Sequence, residues 1–143
     1  MNDMQAIKTN NLLKQRNFNK IVEFTQGLND LDPGDLAAYY CRAIALILEE
    51  NYLEGLKSLG QITQLYKDAQ EKQSVNKKIE YFVAQSSLHM AQIAEFLRIN
   101  YKQRIFFIEL GARTAKNIAD KINDRILEAK AKEILKRIWY ASD

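Results

Sequence analysis

Apolar residues recur at spacings of three and four along nearly the whole chain. This is the repeat of α-helices that bury one side. Ala6, Leu12 and Leu13 mark a short helix over residues 3–15. The polar stretch RNFN follows, with Asn17 suited to cap a second helix carrying Phe18, Ile21, Val22, Thr25 and Leu28. NDLDPGD closes that helix, because Pro33 cannot continue it, and Asp35 can cap the next. The third helix, Leu36 to Glu50, is apolar around most of its circumference, so more than one side is expected to be buried. A fourth helix spans Tyr52 to Lys67, and the polar DAQEKQSVNKK reads as a linker. Three further helices are predicted over 75–99, 101–120 and 124–140, separated by Asn100 and the turn KIND. Their apolar positions are Ile79, Phe82, Val83, Met90, Ile93 and Leu97, then Ile105, Ile108, Ala112, Ala115 and Ala119, and finally Ile126, Ala129, Ile134, Leu135, Ile138 and Trp139. No alternating strand of useful length occurs. The expectation is an all-α chain of about seven helices in one domain.

Phe18 and Tyr52 lie 34 residues apart, as do Ile21 and Gly55, Thr25 and Leu59, and Leu28 and Ile62. A 34-residue period with a helix-turn-helix in each unit marks a stacked repeat, whose units bury their faces on neighbours. KQRNFNKIVEFTQGLNDLDP and AYYCRAIALILEENYLEGLKSLGQI resemble parts of the tetratricopeptide repeat family. Tyr39 stands at the family's bulky first-helix position and Ala43 at its small one. Leu46 takes the large position a turn later, Tyr52 opens the second helix, and Gly55 takes that helix's small position. Ile21, Thr25 and Thr9 depart from the pattern.

The resemblance implies antiparallel helix pairs in a right-handed stack. Residues 2–34 would be a degenerate first repeat, 36–69 a second, 75–120 a longer helical pair, and 124–140 a helix capping the stack. It also implies a concave surface lined by the first helix of each pair. The positions facing it are Ala6, Asn10, Leu13 and Lys14, then Tyr40, Ile44, Ile47 and Leu48. Of the Lys, Asn and Arg residues that related domains use to grip a peptide carboxylate, only Asn10 remains, which leaves an apolar groove. Two arrangements are open: the groove is free for a partner, or the helix over 75–99 fills it.

Composition narrows the function without naming a partner. The chain has 143 residues, one Pro, five Gly and a formal charge of +3. Charge is uneven, with 5 Lys/Arg against 7 Asp/Glu in residues 1–50 and 10 against 6 in residues 101–143. The single Cys41 excludes an internal disulfide framework and fits a reducing compartment. MNDMQAIKTNN has no signal-peptide pattern. The longest apolar run, LAAYYCRAIALIL, is 13 residues with Arg42 inside, too short to span a bilayer. A cytoplasmic protein without a membrane span is expected.

No catalytic or metal motif stands out. One His and one Cys are too few for a zinc site. His89 reads as a packing residue, and Cys41 as a small hydrophobe rather than half of a nucleophilic pair. The Gly residues are scattered, not gathered in a phosphate loop. Asp30, Asp32 and Asp35 fall short of a calcium loop.

Arg125, Lys132 and Lys136 share a helix face, and YKQRIFF mixes cations with aromatics, as a nucleic-acid-associated regulator would require. Glu128–Lys132 and Glu133–Arg137 are instead spaced as i,i+4 pairs on a solvated face. The expected function is a non-enzymatic adaptor or small chaperone, without cofactor. It would take an apolar helix or peptide of another protein in the groove, and a homo-oligomer is compatible with this reading. Nucleic acid is the alternative partner.

Overall fold

A computed structural model describes residues 11, 14–16, 33–72, 75 and 77–141. The described residues form five helices: α1 (Pro33–Leu48), α2 (Tyr52–Lys72), α3 (Lys77–Phe96), α4 (Tyr101–Ile122) and α5 (Arg125–Ala141). No strand occurs among them. The fold is all-α, and packing is mostly between sequential neighbours, with smaller contacts of α2 with α4 and α3 with α5. The expected helix over 18–28 and most of that over 3–15 lie outside the described residues. At the latter's end, Gln15 donates its N–H to the Asn11 carbonyl at 3.0 Å. Among the described residues there are five packed helices; the expected count of seven and the first repeat of the expected stack fall largely on residues outside them.

The ends of the helices follow from local chemistry. α1 begins at Pro33, two residues before the expected cap at Asp35. Proline lacks the N–H that a first turn leaves unused, and its fixed φ suits that position. α1 closes with Glu50 in the left-handed region (φ 65°). Asn51 N–H bonds the Leu46 carbonyl at 2.8 Å and Glu50 N–H that of Ile47 at 3.0 Å. α4 closes the same way around Asn123 (φ 61°). Here Asp124 N–H bonds Ala119 at 2.9 Å. Both are Schellman closures, which satisfy orphan carbonyls through a left-handed residue.

α2 runs five residues past the expected Lys67, through DAQEK, of which all but Asp68 are good helix formers. Gln64 reaches Asp68 at 3.0 Å and Gln70 reaches the Tyr66 hydroxyl at 2.8 Å, i,i+4 pairs that support this extension. Asn100 caps α4, accepting from Lys102 N–H at 2.9 Å. Asp124 caps α5, accepting from Leu127 N–H at 3.1 Å.

One core joins the helices. Leu36, Tyr39 and Ala43 of α1, Leu56, Leu59, Ile62 and Tyr66 of α2, and Val83, Leu88 and Met90 of α3 meet Phe107, Ile108 and Ile118 of α4. α5 contributes Leu127, Ala131, Ile134 and Ile138, at spacings of four, three and four. Ile126 and Ala129, expected on that apolar side, are exposed, with Ile126 73% accessible. A residue adjacent to Leu127 lies about 100° around the helix and leaves the seam.

Small residues set two close approaches. A β-carbon at Gly55 would lie 2.6 Å from Ile47 Cγ1 and 3.0 Å from the Ala43 carbonyl oxygen, so α1 and α2 nest there. A β-carbon at Gly111 would collide with the Ser87 carbonyl oxygen and lie 3.0 Å from Ala91 N, so α3 and α4 meet backbone to backbone. The buried side of α3 includes Val83, Ala84, Ser87, Met90, Ala91 and Ala94, while Ile79, Phe82 and Ile93 are only partly buried.

Candidate protein-binding surface

The α1 residues expected to line a groove form a graded stripe. Tyr40, Ile44 and Ile47 are half-buried, and Leu48 is 50% exposed. Leu36, Tyr39, Ala43 and Leu46, on the side assigned to packing, are buried. Ile47 lies over Gly55, so part of its side chain rests on α2. Lys14 is exposed, whereas Ala6, Asn10 and Leu13 lie outside the described residues.

α3 meets the stripe at Tyr40. The Tyr40 hydroxyl and His89 Nδ1 are 2.8 Å apart, and the Tyr40 ring stands edge-on to Phe82, with centroids 6.4 Å apart. Gln85 and Ser86 complete a pocket of about 220 Å³ beside these three rings. Burial, then the charge of Lys130, lowers the pKa of His89. Burial, then Cys41, raises that of Tyr40. A neutral imidazole sharing one hydrogen with a neutral phenol is the consistent state. The stripe is thus bounded by α3 at Tyr40 and open to solvent at Leu48.

Other candidates resolve into packing. Cys41 is buried and burial raises its thiol pKa, which disfavours the thiolate, while His89 is engaged by Tyr40. Among the described residues no three His, Cys, Asp or Glu side chains gather to hold a metal ion, and no helix is long and apolar enough to cross a membrane.

On α5, Arg125 pairs with Asp120 at 3.3 Å and with Glu128 at 3.2 Å, and Lys132 pairs with Glu128 at 3.2 Å. Arg137 departs from the expected Glu133 pairing and makes a two-pronged bond to Glu95 of α3, both contacts at 2.8 Å. Phe107 is buried, but neighbouring Phe106 is 58% exposed.

A buried polar cluster went unanticipated. Glu80 of α3, 4% exposed, accepts from the Tyr66 hydroxyl at 2.7 Å and pairs with Lys121 of α4 at 2.7 Å. Burial alone would raise the carboxyl pKa. Hydrogen bonds from Lys121 and Tyr66, with the charges of Lys121 and Lys77, outweigh burial and hold it below the ordinary value. Tyr66 is pushed well up, first by burial and then by its donation to Glu80. These groups satisfy one another and tie α2, α3 and α4 together. The helical phase of KKIEYFVA could have revealed Glu80, which precedes Val83 and Ala84 by three and four positions.

Comparison with protein-family models, curated proteins and solved structures finds no match for the chain.

Proposed function

We propose that this chain is a non-enzymatic protein-binding module that takes an apolar segment of a partner along the α1 stripe. The observation that carries the proposal is the stripe's gradient, from Tyr40 held against α3 to Leu48 at 50% exposure, with Ile44 and Ile47 half-buried between. An amphipathic helix or extended peptide could complete the burial of these side chains, the ordinary way a helical groove recognises a segment.

The finer reading, a tetratricopeptide-like module, is supported by the 34-residue spacing and by the close contact of Ala43 with Gly55. These two residues occupy the small positions that the resemblance requires. Packing between sequential helices is compatible with it. The nucleic-acid reading is not adopted, because two of the three cations on its helix face, Arg125 and Lys132, both engage Glu128, which leaves Lys136 exposed.

Selection of displayed peptides against the purified chain tests the proposal. The expected result is enrichment of sequences with apolar residues at i, i+3 or i+4 spacing, or alternating in an extended segment, whose binding Leu48→Asp weakens. Enriched peptides that bind Leu48→Asp and Ile44→Asp variants as well as the parent would place recognition elsewhere.

A further inference from the structure

The corner between α3 and α4 exposes three aromatic side chains, of which Phe106 stands edge-on to buried Phe107, with ring centroids 5.3 Å apart. Phe96, the last residue of α3, is 87% exposed; Tyr101, the first of α4, is 57% exposed; and Phe106 is 58% exposed. Lys102 and Phe106 are spaced i,i+4 on α4 and share a face. Arg98 and Lys102 are exposed, and residues 96–106 contain no Asp or Glu. Arg104 is occupied differently: its guanidinium donates to the Ala94 and Glu95 carbonyls that end α3, which fixes the corner.

We infer that this corner is a peripheral docking site for an anionic lipid surface. The proposal concerns a different surface from the α1 stripe and does not depend on it. Charge complementarity selects the occupant: the exposed side chains of 96–106 are aromatic, cationic or neutral polar (Asn100, Gln103), and none is acidic. A symmetric pair of copies would gather Arg98 and Lys102 of both copies in one interface, with no acidic residue of 96–106 to offset them. A single-stranded nucleic acid would need a cationic track along its phosphates, and with Arg104 engaged the corner offers two. A bilayer interface needs only protruding rings to enter the headgroup layer and a few cations to hold anionic lipids. A turn at the end of a helical hairpin can reach such a plane ahead of the rest of the bundle.

Cosedimentation of the full chain with phosphatidylcholine vesicles, with and without phosphatidylserine, tests this. The phosphatidylserine vesicles should retain the protein and the pure phosphatidylcholine vesicles should not. Arg98→Gln and Lys102→Gln should each cut partitioning about five-fold, the equivalent of about 1 kcal/mol per cation. Phe96→Ser with Phe106→Ser should abolish it. Phe96→Trp, which keeps a ring and so separates docking from folding, should add emission that shifts to the blue on vesicle addition. Equal retention by both vesicle types, no retention at low salt, or no shift from Phe96→Trp would overturn the inference. So would binding of a labelled oligouridine, or a dimer in sedimentation equilibrium, that the two serine substitutions remove while vesicles are not bound.

Discussion

Gly111 lies against the main chain of Ser87, with no room between them for a methyl group. The α3–α4 contact therefore depends on a missing side chain. The obstacle is a carbonyl in the middle of a helix, which cannot swing aside as a flexible side chain could. Gly111→Ala should cost about 1–3 kcal/mol or more through forced separation of the helices, despite alanine's better helix propensity. Chemical denaturation checks this, and a variant as stable as the parent would contradict the close approach. Gly60 is the control. A β-carbon there meets only ordinary contacts at 3.9 Å, so Gly60→Ala should be neutral or stabilising.

The Glu80 cluster makes stability depend on acidity in a defined direction. The carboxyl's pKa is lower in the folded chain than in the unfolded one. The resulting stabilisation is full above the unfolded value of about 4.3 and is lost as pH falls through the lower, folded value. Denaturation midpoints between neutral and acid pH should fall through this window for the parent, and the slope there should be shallower for Glu80→Gln. Lys121→Met leaves a carboxylate that is 4% exposed without its cation, and should cost about 1–3 kcal/mol at neutral pH. The loss is smaller than for a fully buried pair because the Lys121 side chain is 53% exposed. An unchanged midpoint would mean that the ion pair contributes nothing.

Glu50 holds a left-handed conformation that an L side chain adopts at a cost. Glu50→Gly should therefore stabilise the chain by up to about 1 kcal/mol, since the Schellman bonds to Leu46 and Ile47 need only the backbone. Thermal melting reads the sign directly, and a lower midpoint would contradict the strain argument. Asn123, the counterpart at the end of α4, should gain less, because asparagine tolerates this region better than glutamate.

The fold class was legible because apolar spacing near 3.6 is a direct record of one-sided burial. Leu36, Tyr39, Ala43 and Leu46 are buried as that spacing implies. Boundaries were less legible where a residue has two uses. Pro33 reads as a helix end but opens α1, and DAQEK reads as linker but extends α2. On α3 the apolar stripe holds in part: Val83 and Met90 are buried, while Ile79, Phe82 and Ile93 are only partly so. The closest contact is made by Ser87 and Ala91, which have little apolar surface and matter for their size. Ile126 failed for a related reason: hydrophobicity alone does not distinguish it from Leu127 next to it. Of the candidate site, the sequence gives the spacing of Tyr40, Ile44 and Ile47. It does not disclose the α3 contact through His89, which joins residues 49 apart in sequence.

Whether the α1 stripe is a recognition surface or core turns on the contrast between Ile44 and Leu46. Leu46 is 6% exposed, whereas Ile44 is half-buried on the side leading to Leu48. An aspartate at 46 strands an unpaired charge in the core and should unfold the chain, while one at 44 can keep its carboxylate in water. The decisive measurement is thermal melting of Ile44→Asp beside Leu46→Asp, with titration of a selected apolar peptide into the folded variant. Ile44→Asp should melt near the parent and lose peptide binding, and Leu46→Asp should collapse. Equal, severe loss of stability at both positions would make the stripe core and rule out a recognition surface there.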